Sequence, residues 1–282
     1  VDDPVVDTRM PAHPQARFDR LQKPLRIFCS CPAADKVHVP AGLWGRESTF
    51  TASNFAGDTR MPIFFTLAAL TWAALLVSQG MVWLYAPVEA SMGPVQKIFY
   101  LHLPLAWWAF MAFLAVFVAS IGFLWTRRPA WDRLAAASAE VGVVFTLLVL
   151  ITGSMWGKAS WNTWWTWDPR LTTALVMCFA YSAYLALRQA WIPSPRREVL
   201  CAVLGVLAFA DVPLVFVSAR LWRSIHPAVF ASSGGGMPGE MLGTVAVCLL
   251  AWGGLAGLMI THRYRQLQLQ ARLDRLLAER YR

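Results

Sequence analysis

The sequence predicts an all-α fold: a polytopic membrane bundle of six transmembrane helices with both termini on the cytoplasmic side. Three observations predict it. The chain is 57% hydrophobic and only 15% charged, with a mean hydropathy of +0.46, whereas a soluble globular domain is nearer a quarter charged. Its apolar residues fall into six stretches, each near the roughly 20 residues that cross a hydrocarbon core as a helix. Its basic residues are sorted into alternate connections between those stretches.

Residues 1–60 differ from everything that follows. They are polar, rich in Pro, Asp and Arg, and hold no apolar run long enough to span a bilayer. Two readings of this leader stand. It is a disordered cytoplasmic extension, or it is not native, since Met61 immediately precedes the first hydrophobic run. The spans are expected near 62–86, 101–125, 136–156, 171–191, 199–217 and 241–261, within a membrane domain of residues 61–262. Closed helices satisfy their own backbone polar groups, which lipid requires. A basic tail over 263–282 follows as a further helix candidate that can also touch anionic membrane lipid.

Arg127, Arg128 and Arg133 follow the second span, and Arg188, Arg196 and Arg197 the fourth. Arg263, Arg265, Arg272, Arg275, Arg280 and Arg282 follow the sixth. The alternate connections hold only Lys97, then Lys158 and Arg170, then Arg220 and Arg223. The positive-inside tendency therefore places both termini in the cytoplasm and connections one, three and five outside. The formal net charge of +9 is mainly a topology signal, and no nucleic-acid partner is expected from it. Three of the five Cys (Cys178, Cys201, Cys248) lie in apolar runs, where a thiol behaves as a small hydrophobe. Cys29 and Cys31 form neither a CxxC redox pair nor a zinc pattern, and the CxxCH attachment motif is absent. No GxxxxGK[ST], HExxH or GxSxG occurs, so an ATPase or conventional hydrolase is not expected and the chain is read as a non-enzyme.

The third connection, near 156–172, concentrates Trp156, Trp161, Trp164, Trp165 and Trp167 ahead of Asp168-Pro169-Arg170. An aromatic belt at the membrane surface is one reading. A shelf of flat apolar rings for a planar ligand is the other, and the density of rings in one loop favours it. Asp168 suits a helix N-cap, with Pro169 in the first turn. Arg170 is suited either to a ligand carboxylate or to snorkelling at the interface. Of five His, His102 and His226 fall at the same outward face as the Trp run. Such a pair fits axial ligation of haem iron by neutral imidazole. Lys97, Arg220 and Arg223 are candidates for propionate contacts, and each is equally suited to be a solvated interfacial cation. Asp211 lies within the fifth span, two residues before Pro213, and is expected to be protonated and hydrogen-bonded in a local bend.

The run W-G-K-A-S-W-N-T-W-W-T-W-D-P-R-L-T resembles the WWD signature of haem-handling membrane proteins. Its R-L-T ending, the six spans and the flanking K-I-F-Y-L-H-L-P and R-L-W-R-S-I-H-P segments are similar to the CcmC family, haem exporter protein C of cytochrome c maturation. Asn162 stands where the family's loop is expected to carry Gly, and Pro169 where it is expected to carry a small residue. The resemblance implies non-covalent binding of haem b, with His102 and His226 as iron ligands and Trp156, Trp161, Trp164, Trp165, Trp167 and Asp168 around it. It implies delivery of haem to the chaperone CcmE, with CcmD and the CcmAB ATP-binding-cassette transporter as partners, in the bacterial inner membrane with the site facing the periplasm. Competing readings are a synthetase-like haem lyase acting on apocytochrome c, a haem permease, and an assembly subunit without a ligand.

Overall fold

The structure, a computed structural model, describes residues 60–90, 92–222 and 237–280. The leader up to residue 59 and the segment holding Arg223 and His226 lie outside the described residues. Helix α1 is Arg60–Gly80 and runs straight into a single π turn, Met81–Tyr85. After a short connection, a 3₁₀ turn at Pro94–Ile98 opens α2, Phe99–Thr126. Helices α3 (Pro129–Trp161), α4 (Pro169–Ala190), α5 (Pro195–Ala208), α6 (Asp211–Leu221) and α7 (Gly239–Arg280) follow. Among the described residues, six helical segments are long and apolar enough to cross a membrane, and α5 with α6 makes up the fifth of them.

The ends of these helices differ from the expectation for definite reasons. α3 begins at Pro129 instead of near residue 136, because Pro suits the first turn and Asp132 complements its positive end. It also runs on to Trp161, since a helix does not stop where its apolar stretch stops. The fifth span is broken between Ala208 and Asp211. There Ala210 N–H donates to Leu207 O (3.1 Å) and Val212 N–H to Phe209 O (3.0 Å), tightening the turn to i→i−3 spacing. Pro213 then falls in the first turn of α6, where its missing N–H costs no hydrogen bond. Asp211, expected to be hydrogen-bonded in this bend, has its Oδ2 buried with no partner among the described residues, and backbone bonds make the turn.

The α2–α3 hairpin forms the centre: α7 packs on both its helices and carries α1 on itself, while α4 and α5 pack on the hairpin and α6 packs on α4. Small residues allow the close approach. A Cβ on Gly142 of α3 would lie 2.5 Å from Phe113 Cε1. Phe113 is fully buried and stacked on Tyr181 of α4, with ring centroids 3.7 Å apart at 11°. Because that ring has nowhere to move, Gly142→Ala is expected to cost about 1–3 kcal/mol as overpacking does. A thermal or denaturant midpoint in detergent measures this, and an unchanged midpoint would show that the contact yields. On the other side, Gly253 of α7 receives the indole of Trp108, whose Nε1 donates to Leu249 O at 2.8 Å.

Among the described residues, two ion pairs tie helices together. Arg188 of α4 grips both carboxylate oxygens of Asp132 on α3, and Arg263 of α7 grips Glu140 on α3 through Nε (2.6 Å) and Nη2 (3.0 Å). Arg133 lies over the ring of Tyr264, and Arg265 over that of Phe64. These contacts gather the basic turns and the outgoing part of α7 at one end of the bundle. The α3–α4 connection carrying the Trp run is at the opposite end.

Candidate functional site

At the Trp end the bundle holds a cavity of about 630 Å³, within the size range of small-molecule sites. It opens between α2, α3, the α3–α4 connection and α6, and its lower walls are apolar, among them Leu103, Phe110 and Val149.

The upper wall is built by α3 overshooting its apolar stretch. Trp156 and Trp161 therefore sit on the last turns of a helix, and the loop proper is only Asn162–Asp168. Their rings meet edge to face, with centroids 5.2 Å apart at 71°. The helix stops at Asn162, whose φ of 56° is left-handed. Gly is the easiest residue there and Asn the next, which accounts for Asn at the position expected to be Gly. Lys158 Nζ donates to Asn162 Oδ1 at 2.8 Å and fixes that end. The loop then folds back so closely that a Cβ on Gly157 would lie 3.3 Å from Thr163 O.

Of the five expected shelf rings, Trp156, Trp161, Trp164 and Trp165 line the cavity. Trp167 does not: it is 76% exposed and meets Trp165 edge to face. Asp168 is buried beneath the loop and outside the cavity lining. Its carboxylate accepts from Arg170 N–H at 2.9 Å, so it acts as the N-cap of α4. Arg170 lines the cavity. Nearby, Trp165 Nε1 and Thr166 Oγ1 are buried and have no hydrogen-bond partner among the described residues, leaving them available to a polar ligand group.

His102 projects from the first turns of α2 into the cavity wall. Its Nδ1 lies 2.9 Å from Thr152 Oγ1 on α3, and its ring packs where Gly153 has no side chain. Neither Thr152 nor Gly153 was marked in the sequence: they are fifty residues away inside an apolar run, and only the α2–α3 packing brings them to His102. Lys97, expected near a ligand carboxylate, is instead held by Trp83. Its Nζ donates to Trp83 O at 3.2 Å and lies 5.0 Å from the ring centroid, a cation–π contact that turns it from the cavity. His226, Arg223 and the side chain of Arg220 lie outside the described residues.

Comparison with known proteins shows the family to which the chain belongs. The family model described as CcmC, heme exporter protein C, matches residues 48–279. The chain is 34% identical to heme exporter protein C of Escherichia coli over 164 residues, 56% of this chain and 66% of that protein, just under two thirds of its length. It is 35% identical to heme exporter protein C of Bradyrhizobium diazoefficiens over 191 residues, 66% of this chain and 72% of that protein. It is 26% identical to a ccmC-like mitochondrial protein of cytochrome c biosynthesis from Marchantia polymorpha over 218 residues, covering 73% of this chain and 92% of that protein. A match that runs from before α1 to the end of α7, and so takes in the Trp connection and His102 together, means that the chain belongs to the CcmC, heme exporter protein C, family.

Proposed function

We propose that the chain binds haem b non-covalently in the cavity at the Trp end of the bundle and passes it to the haem chaperone CcmE during cytochrome c maturation. The observation that carries this reading is the imidazole of His102 set in the wall of a largely apolar cavity of about 630 Å³ under four Trp rings. Haem requires an axial donor for iron, flat apolar walls, and hydrogen-bond donors or cations for its propionates. His102 supplies the first. Leu103, Phe110, Val149 and the rings of Trp156, Trp161, Trp164 and Trp165 supply the second. Arg170, with Trp165 Nε1 and Thr166 Oγ1, supplies the third. His226 is the second axial ligand in this reading, contributed from the connection between α6 and α7.

The basic end carries Arg127, Arg128, Arg196 and Arg197 besides its paired arginines, so the positive-inside tendency sets it in the cytoplasm. The haem site then faces the periplasm of a bacterial inner membrane. Haem is cargo: the protein's part is to take it up in a preformed apolar slot, hold the iron by imidazole, and leave one edge at the water-exposed loop for an acceptor. Trp164, 60% exposed while lining the cavity, stands at that edge. CcmD and the CcmAB transporter are the partners in this scheme, and transfer driven by ATP falls to the latter.

The test is a paired replacement, Trp164→Ala with Trp165→Ala. Haem transfer to purified CcmE is expected to fall by about an order of magnitude or more, since each ring packed on a flat ligand contributes on the order of 1 kcal/mol beyond its area. The amount of protein in the membrane is expected to stay unchanged. Normal loading of the chaperone by this variant would refute the slot.

A further inference from the structure

We propose that Thr152 is a positioning residue for His102: its hydroxyl keeps the imidazole proton on Nδ1, so that Nε2 is the nitrogen carrying the lone pair for iron. The proposal rests on the reading of His102 as an axial ligand.

The argument is a count of protons. Thr152 Oγ1 lies 2.7 Å from Leu148 O and 3.3 Å from Val149 O. Both are backbone carbonyls, which only accept, so the single hydroxyl proton is directed to them. The same oxygen lies 2.9 Å from His102 Nδ1. With its own proton already committed, Oγ1 meets Nδ1 as an acceptor, and the bond is Nδ1–H donating to Thr152 Oγ1. A neutral imidazole protonated at Nδ1 has its lone pair at Nε2. Metal-binding imidazoles are commonly oriented through the other ring nitrogen in this way, and donation from Nδ1–H makes Nε2 a better donor.

The surroundings hold the ring in this pose. A Cβ at residue 153 would come within 3.1 Å of His102 Cε1, so the glycine leaves a slot that the ring fills. Thr152 is itself buried and does not line the cavity, whereas His102 and Gly153 do. Thr152 therefore reaches the cargo only through the imidazole.

The experiment titrates ferric haem into the detergent-purified full chain and its Thr152→Val, Thr152→Ser and His102→Ala variants, reading dissociation constant and reduction potential. Val matches Thr in shape and removes the acceptor; Ser keeps it. Thr152→Val is expected to raise the dissociation constant about tenfold, as loss of a hydrogen bond to a metal-bound imidazole does, and to raise the potential, because a poorer donor favours ferrous iron. Thr152→Ser is expected to stay close to wild type. If Val matches wild type in both readouts while His102→Ala loses haem, the positioning role is overturned and the ligand stands. Equal impairment of Val and Ser makes the effect one of packing and also overturns it. Wild-type binding by His102→Ala overturns the ligand reading, and the proposal with it. Nitrogen NMR of the haem-free wild type, His102 assigned by subtraction of the His102→Ala spectrum, needs no Thr152 variant to fold. A ring protonated at Nδ1 is expected, and one protonated at Nε2 refutes the assignment.

Discussion

His102→Ala is expected to lower haem affinity by at least the 10–100-fold that losing an outer partner of a metal site costs, and to move the Soret band of whatever haem remains. The loss is expected to be this large because His102 is the one imidazole that lines the cavity among the described residues. The groups around it on the cavity wall, Leu103, Phe110, Val149 and Gly153, offer no donor to iron. The side chain is also not needed for folding in the way a core residue is, since it borders the cavity. The variant should therefore reach the membrane in normal amount and fail at binding. An absorption spectrum of the purified variant, beside His226→Ala, gives the answer. A wild-type Soret band and haem content in both would remove axial ligation from this end of the bundle.

Asp132→Ala is expected to cost the most in stability, about 3–5 kcal/mol, because it leaves a buried guanidinium without its counter-ion. The side chains of Arg188 and Asp132 are 13% and 9% exposed, and both carboxylate oxygens are engaged. Once the carboxylate is gone, Arg188 Nη1 keeps the Tyr184 hydroxyl, at 3.2 Å, which brings no negative charge. The measurement is the unfolding midpoint in mixed detergent, with Arg188→Met, Asp132→Leu as a control in which both charges are removed. The double variant is expected to recover much of the loss. A cost below about 1 kcal/mol for the single variant would place this pair with exposed ion pairs, which contribute little.

The parts of this protein legible in its sequence are those encoded by contiguous composition. The spans announce themselves by length and apolarity, and Asp168-Pro169 was readable as a helix start because an acceptor followed by a residue lacking N–H suits one. Trp156, Trp161, Trp164 and Trp165 were legible as a wall because they are dense within one short stretch. What was not legible depends on direction. That Trp167 faces outward while Trp165 faces the cavity is decided by the path of the loop after Asn162, set by a left-handed residue and the close pass over Gly157. Lys97 looked equally suited to a carboxylate and to solvent, and a Trp ring from the preceding span took it. Thr152 was unreadable for another reason: a hydroxyl in an apolar helix ordinarily bonds its own backbone, and its second bond depends on helix packing.

The grip of Arg263 on Glu140 also has a consequence for how the chain is made. The two residues are 123 positions apart, and the helix that carries Arg263 is synthesised well after α3. At about 5–20 residues per second, the ribosome needs roughly 6–25 s to make the stretch between them. Throughout that interval α3 holds a carboxylate with no counter-ion, and the Trp108 indole lacks the α7 carbonyl it will donate to. A nascent chain that stalls before α7 thus exposes two unmatched polar groups on the central hairpin. Arrival of α7 satisfies both, the indole by a carbonyl and the carboxylate by a guanidinium, so reaching α7 is what separates a chain with a matched central hairpin from one that stalled before it.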